Sequence, residues 1–330
     1  MKEIFIIGGG GYVGSRMVPY LLDKGYHITV YDLFVYGNYL KKHKNLNIIQ
    51  GDVRDIKKLT KNINDYKTII HMACISNDPG FDLNPIISRT INYDCFIKLL
   101  ENLKNSNSLE KFIYASSSSS YGSLNIKHVT EKTKQRPITD YAKYKMLCEI
   151  ALKKYNIPSV IFRPATICGY SPRLRLDLVL NILTTNALIN KEIKIFNGEL
   201  YRPNVHIMDM IRAYEYVINS PEDYINNQVF NIGLISLKVK DLSKMVKNVL
   251  EVEYNEKINL KNIKTNDTRS YHMESNKIKE FGFEFKYTLE DGIREIAEAY
   301  YKGMLINPLD NPIYHNIKLL KNESSLLQKH

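Results

Sequence analysis

The sequence predicts an α/β protein in which a doubly wound parallel sheet carries a smaller α/β lobe at its carboxyl end. Three observations lead there. Short apolar runs alternate with helical stretches through the first half, the first run opens directly into a glycine-rich turn, and the alternation breaks down after Arg163. Regular strand–helix alternation implies a parallel sheet covered by helices on both faces. Such sheets take ligands at the carboxyl ends of their strands.

Strand patterns fall at 4–7, 27–31, 47–50, 68–71, 111–115 and 159–163. Helical patterns lie between them at 12–24, 55–61, 85–105 and 141–154. After Arg163 comes the turn cluster Gly169-Tyr170-Ser171-Pro172, then a predicted helix over 174–190, then shorter elements to about residue 304. The main sheet and its helices are assigned to 1–169 with a return over about 205–234, and the lobe to 170–204 and 235–305. The remainder, 306–330, is rich in Asn and Lys and weakly periodic, and is expected to be a surface tail or an oligomer arm. The serine run at 116–120 has the composition of a linker, but its place directly after an apolar strand argues for an ordered turn.

Composition bounds the function. With 330 residues, 44% apolar and 25% charged, the chain has material for a sizeable core, which excludes a disordered or collagen-like protein. No stretch approaches the ~18 apolar residues of a membrane-spanning helix, and no secretory signal fits the start, so a cytoplasmic protein without membrane insertion is expected. The four Cys (Cys74, Cys95, Cys148, Cys168) form no CxxC pair and are expected to be reduced thiols, with no metal site. The net charge of +11 is spread along the chain without a basic block or a nucleic-acid module. Its remaining meaning is a mild preference for anionic ligands.

The run Ile4-Phe5-Ile6-Ile7 leads into Gly8-Gly9-Gly10-Gly11-Tyr12-Val13-Gly14. Gly8 permits the tight turn, Gly11 a close approach of backbone to a pyrophosphate at a helix N-terminus, and Gly14 close packing of helix on sheet. The second strand ends at Asp32, whose carboxylate accepts hydrogen bonds from a ribose and repels a 2′-phosphate. That pattern favours NAD over NADP. Gly51-Asp52-Val53 follows the third strand. Asp52 there meets an adenine amino group, with Val53 at the base's edge, or it caps the next helix.

Tyr141 and Lys145 stand four apart in a helical pattern, so both side chains share one face. A free phenol titrates near ~10. Acting as a base requires a lower pKa, and a neighbouring ammonium and a positive nicotinamide both favour phenolate. A depressed Tyr141 is therefore expected. Ser117, just after the fifth strand, places a hydroxyl where it can bind the reacting oxygen.

These motifs occur in a telling order: Gly8-x-x-Gly11-x-x-Gly14, Asp32, Gly51-Asp52-Val53, His71-Met72-Ala73, the 116–122 run, Tyr141-x-x-x-Lys145 and Phe162-Arg163-Pro164. The chain resembles the nucleotide-sugar epimerases and dehydratases of the extended short-chain dehydrogenase/reductase superfamily over nearly all of residues 1–305. The resemblance implies a Rossmann domain holding NAD and a lobe gripping a nucleoside diphosphate sugar. It implies a triad in which Tyr141 takes a proton from a sugar hydroxyl, Lys145 holds the nicotinamide ribose and lowers the phenol pKa, and Ser117 bonds the substrate oxygen. The implied cofactor residues are Gly8, Gly11, Tyr12, Val13 and Gly14 at the turn. Asp32, Asp52, Val53, Met72 and Ala73 follow the next strands, with Tyr141, Lys145 and Pro164 at the far end. A homodimer and a role in polysaccharide biosynthesis are further expectations of the family.

Substrate residues are implied in the same way. Arg202-Pro203-Asn204-Val205-His206-Ile207 with Asp209 resembles the family's Arg-x-phi-x-His-Val-x-Asp segment (phi an aromatic or aliphatic residue), whose Arg meets the diphosphate. Asn204 stands where the aromatic is usual. The stretch 267–271 resembles the later diphosphate segment through Arg269. Each Arg is a phosphate fork or a surface ion pair. Asn77 and Asp78 read sugar hydroxyls or form an Asx turn. Arg173 and Arg175 meet anionic substrate groups or brace the lobe, with Leu178 and Ser118 beside the sugar. His71, His206 and Arg163 are expected to be structural.

The resemblance also narrows the reaction. The 4,6-dehydratases carry an Asp-Glu pair after the Ser/Thr, where this chain has Ser118 and Ser119. An ordinary hydroxyl cannot do that acid–base work. The Glu of UDP-glucuronate decarboxylases and the Cys of GDP-fucose synthases are missing at the same place. Reversible redox at sugar C4 remains, with a 4-epimerase favoured. The segment 165–178 resembles instead the branch holding the GDP-heptose 4-dehydrogenase, so a 4-dehydrogenase or 4-ketoreductase is the alternative. A 4,6-dehydratase and a non-catalytic NAD-binding adaptor rank below both.

Overall fold

The computed structural model describes residues 2–123, 128–263, 270 and 272–322. Its strands are β1 (Glu3–Ile7), β2 (His27–Asp32), β3 (Leu46–Gln50), β4 (Thr68–His71), β5 (Lys111–Ala115), β6 (Ser159–Pro164), β7 (Thr166–Cys168), β8 (Glu192–Phe196), β9 (Tyr201–His206), β10 (Val229–Ile232), β11 (Ile235–Lys238) and β12 (Asn259–Ile263). Seven of them form one parallel sheet in the order β10-β6-β5-β4-β1-β2-β3. The six strands expected from the sequence are all in it, and β10 returns from the later chain to extend its edge. The strand order reverses between β1 and β4, where a crevice opens at the carboxyl ends.

Alternation along the strands splits the core in two. Ile4, Ile6, Val30, Ile70, Ile113 and Phe162 pack on one face, against Met17, Val18 and Leu21 of the helix Gly14–Asp23 and Ile211 and Tyr214 of the helix Ile207–Asn219. Phe5, Ile7, Ile69, Phe112 and Ile161 pack on the other, against Leu59, Phe96, Leu99, Leu100 and Leu152. Each such side chain contributes about 1.5–3 kcal/mol by leaving water. The strands are apolar on both faces because both are covered.

Beyond Pro164 the chain builds two small sheets, β11-β9-β7 and β12-β8. Two expectations need correction here. The helix predicted over 174–190 starts only at Val179. Residues 174–178 stay out of the helix because their polar groups are engaged elsewhere: Leu176 N–H donates to the Tyr314 carbonyl at 2.8 Å, and Asn181 Nδ2 to that of Arg175 at 3.0 Å. The supposed surface tail also folds back, through Pro312–Tyr314 and the helix Asn316–Asn322. Leu320 is buried there with Ile75, Phe81 and Tyr141. Among the described residues, no helix is long and apolar enough to cross a membrane.

Candidate active site

The crevice at the reversal point is a cavity of about 400 Å³, within the range of small-molecule sites. At one end lies the glycine turn. Gly8 sits at φ +89°, and a Cβ there would come within 2.4 Å of Ala73 N. A Cβ on Gly14 would meet Gly9 O at 2.3 Å. Gly11 differs: its nearest neighbour would be Gly8 O at 3.7 Å, so nothing inside the protein demands a glycine there. What a side chain at Gly11 would obstruct is the cavity itself, at the start of a ten-residue helix whose first N–H groups suit an anion.

Asp32 ends β2 at the rim. Its Oδ2 accepts from Gly10 N–H at 2.8 Å and its Oδ1 from Phe34 N–H at 2.6 Å. Burial pushes its pKa up while these bonds and Arg173 pull it down. The remaining lone pairs of the clamped carboxylate suit ribose hydroxyls. Val13, Val53, Met72, Ala73 and Pro164 all line the cavity. Tyr12 lines it too, but its hydroxyl donates to the Gly169 carbonyl at 2.6 Å, so the ring ties the helix start to the later chain. Asp52 lines the cavity and pairs with Arg54 at 2.6 Å. It is not the cap of the next helix, because Asp55 takes that role by accepting from Lys58 N–H at 3.0 Å. Glycine turn, clamped carboxylate and open helix start together fit a dinucleotide.

At the other end the helix Asp140–Lys154 presents Tyr141 and Lys145 side by side. Lys145 is 4% exposed, and its ammonium donates to the Ala115 carbonyl at 2.6 Å. Burial disfavours that ammonium, but Cys74, Tyr141 and Cys148 hold its pKa above the ordinary value. Ser117 follows β5, lies beside Tyr141 and lowers the pKa of its phenol, and shares a 2.7 Å hydrogen bond with Ser119. The charge of Lys145 acts on the phenol in the expected direction, and burial opposes it. Burial pushes Tyr141 up to about 12, against Lys145, Ser117 and Arg175, which all lower it. Desolvating a phenolate outweighs one nearby ammonium.

Behind the triad, Arg163 donates to Glu149 Oε2 at 2.6 Å and to the Tyr121 hydroxyl at 2.8 Å, while Ser116 donates to Glu149 at 2.5 Å. This buried network fixes the serine turn, as expected of Arg163. His71 is enclosed by Phe96, Phe112 and Tyr114, and burial lowers its pKa to about 3. His206 accepts from Met208 N–H at the start of a helix, 3.2 Å away.

Distant segments converge on the remaining wall. Asn77 Oδ1 accepts from Gly80 N–H at 2.8 Å, and its Nδ2 donates to Asp177 Oδ2 at 2.6 Å. Arg175 grips the same carboxylate from Nε and Nη2, at 3.0 and 2.6 Å. Asp78 accepts from the Thr139 hydroxyl at 2.5 Å. Ser118, Arg173 and Leu178 also line the cavity. Arg202 does not: it lies on β9 outside the lining and donates to the Tyr201 carbonyl at 3.2 Å. Arg269 lies outside the described residues. Asn316, Leu320 and Tyr36 line the cavity without having been singled out in the sequence. Asn316 and Leu320 sit in the weakly periodic carboxyl end, where no local signal marks them.

Comparison with known proteins agrees with this geometry. The family model of the NAD dependent epimerase/dehydratase family matches residues 4–233. The chain is 25% identical to a putative UDP-glucose 4-epimerase of Methanocaldococcus jannaschii over 89% of its length and 97% of the relative's. It is 24% identical to the dTDP-D-glucose 4,6-dehydratase of Mus musculus, over 92% and 89%. A solved UDP-N-acetylglucosamine 4-epimerase from Methanobrevibacter ruminantium superposes with a TM-score of 0.81 at 25% identity, over 92% of this chain and all of that one, 100%. With a Rossmann sheet, a glycine turn and a Ser–Tyr–Lys cluster in one cavity, the chain belongs to the NAD dependent epimerase/dehydratase family of enzymes.

Proposed function

We propose that the protein is a nucleotide-sugar 4-epimerase that oxidises the C4 hydroxyl of a nucleoside diphosphate sugar and returns the hydride to the opposite face. The observation that carries this is the pair Ser118 and Ser119 beside the convergent Ser117, Tyr141 and Lys145. Removing water across C5–C6 needs an acid and a base next to the triad, and hydroxyls of ordinary pKa supply neither. The nearby carboxylate of Asp177 does not substitute. Arg175 and Arg173 outweigh its burial and hold its pKa below the usual value, so it carries no proton to give.

Ser117 holds the reacting hydroxyl and Tyr141 takes its proton. Lys145 supports the phenolate and reaches the ribose next to the reacting ring. Bound NAD supplies the hydride acceptor and, in its oxidised form, a positive charge that acts on the phenol in the same direction as Lys145. Gly11 and Asp32 hold the diphosphate and adenosine ribose, with Asp52 and Val53 at the base. The sugar lies against Asn77, Asp78 and Leu178. Arg202 and Arg269 are the residues proposed to meet the substrate's own diphosphate.

The test is incubation with UDP-, GDP-, CDP- and dTDP-sugars, with product separated by chromatography and weighed. A new peak of unchanged mass supports epimerisation. Loss of water shows a dehydratase, and loss of two hydrogens with accumulating NADH shows the 4-dehydrogenase.

A further inference from the structure

The segment 169–178 carries two buried arginines with different surroundings. Arg175 is paired with Asp177. Arg173 is 2% exposed, yet among the described residues no carboxylate pairs with it. One side-chain hydrogen bond goes to the neutral Asn316 Oδ1, and its Nε has no partner. Its guanidinium lies 4.0 Å from the ring centre of Tyr36, whose own hydroxyl is buried without a partner. Burial and the neighbouring Arg175 lower its pKa to about 10, although Tyr36, Asp177 and Tyr39 act the other way. An enclosed cation left without a counter-ion is costly, by several kcal/mol. The site is built to receive an anion.

The direction of the side chain says which anion. The backbone of this segment is fastened to the start of the first helix. Ser171 Oγ donates to the Tyr12 carbonyl at 2.7 Å and shares a 2.8 Å bond with Ser15 Oγ, and Arg173 N–H reaches the same Ser15 oxygen at 3.4 Å. The segment thus sets out from beside the glycine turn, and Arg173 lines the same cavity as Gly8, Gly11 and Asp32. Asp32 feels the charge of Arg173, whereas the Tyr141 phenol feels that of Arg175. Asp177 feels both arginines, so it is the reach of Arg173 toward Asp32 that sets it apart from Arg175.

Resting on the reading of this cavity as a dinucleotide site, we propose that Arg173 is the counter-ion of the cofactor's diphosphate, positioned by Asn316 from the carboxyl-terminal segment. The diphosphate is then held from two sides, by backbone N–H groups at the glycine turn and by a planar fork from the later chain. Asn316 also donates to Ser76 Oγ at 3.0 Å, so the end of the chain latches the strap in place. Arg173 is thereby assigned to the cofactor, rather than to the anionic substrate groups or the bracing of the lobe that the sequence suggested.

The test strips NAD from the full chain and measures binding of ADP-ribose and of adenosine to wild type, Arg173→Met, Arg173→Lys and Asn316→Leu. A lost charge-assisted contact predicts that Arg173→Met weakens ADP-ribose about 10- to 100-fold with adenosine unchanged. Lys is expected to rescue part of the loss, and Asn316→Leu to show a smaller loss of the same kind. Wild-type ADP-ribose affinity in Arg173→Met, with a raised KM for the nucleotide sugar, overturns the assignment. Should that variant not fold, unchanged ADP-ribose affinity in both Arg173→Lys and Asn316→Leu overturns it equally. A wild type that binds neither NAD nor ADP-ribose overturns the dinucleotide reading, and this proposal with it.

Discussion

The two ends of the cavity are assembled in different ways. The cofactor end has a local core: the glycine turn and Asp32 come from consecutive elements and are joined by a hydrogen bond from Gly10 N–H to the Asp32 carboxylate. The sugar end is distributed. Asn77 meets Asp177 across 100 residues of chain, and Arg175 meets the Ser76 carbonyl across 99. A diphosphate is recognised by N–H groups and by missing Cβ atoms, which a short stretch supplies. A sugar is recognised by side chains placed at several angles, and these must come from separate segments.

The largest expected effect tests whether the ends are separable. Tyr141→Phe removes the proton acceptor and is expected to cut turnover by about 10²–10⁴-fold while NAD stays bound, read by single-turnover assay and cofactor content. Loss of both together would break the separation. Next come the glycines. Gly8→Ala forces a strained φ and a 2.4 Å backbone clash, and is expected to lower the melting temperature and abolish NAD retention. Gly11→Ala has open space, so its melting temperature without cofactor should match wild type while NAD affinity falls. Equal destabilisation by the two would show that Gly11 is also structural.

Asp177→Asn sharpens the other end. It breaks the grip of Arg175 and the ordering of Asn77, and is expected to raise the nucleotide-sugar KM about tenfold, the scale of one charge-assisted hydrogen bond, with NAD affinity unchanged. The smallest effect concerns the tie between the ends. Glu295 binds Arg16 at 2.6 Å and accepts from Tyr170 N–H at 3.1 Å. Although burial opposes it, Arg16 and His206 lower its pKa from 4.5 to about 2. A depressed carboxylate stabilises the fold fully above its unfolded pKa and loses that contribution as pH falls toward the folded value. Wild type should therefore exceed Glu295→Gln by on the order of 2 kcal/mol at pH 7, and thermal melts should show the gap narrowing below about pH 4.5. A gap independent of pH would remove Glu295 from this role.

Much of the cofactor end was readable because its signals are short-range. The strand Glu3–Ile7, the glycine spacing and Asp32 lie within one supersecondary unit, and the Tyr141–Lys145 spacing is a property of any helix. The strand positions were readable for the same reason, since apolar runs buried on both faces show in local hydropathy. The delayed start of the helix at Val179 was not, because a tertiary hydrogen bond to Tyr314 and a local one from Asn181 hold the preceding residues in turns. The fold-back of Asn316 and Leu320 had no marker in a stretch of low periodicity.

The pKa of Tyr141 shows where local reading stops. Spacing alone places an ammonium beside the phenol, but the balance between that charge and burial depends on everything packed around both. The linear chain therefore decided what each segment is: its strands, its turn, its helix face. Three-dimensional packing decided which charges are answered, which are left for a ligand, and which ends of a 330-residue chain meet. The physical reason is range. Backbone conformation responds to neighbours a few residues away, whereas electrostatics and desolvation respond to neighbours in space.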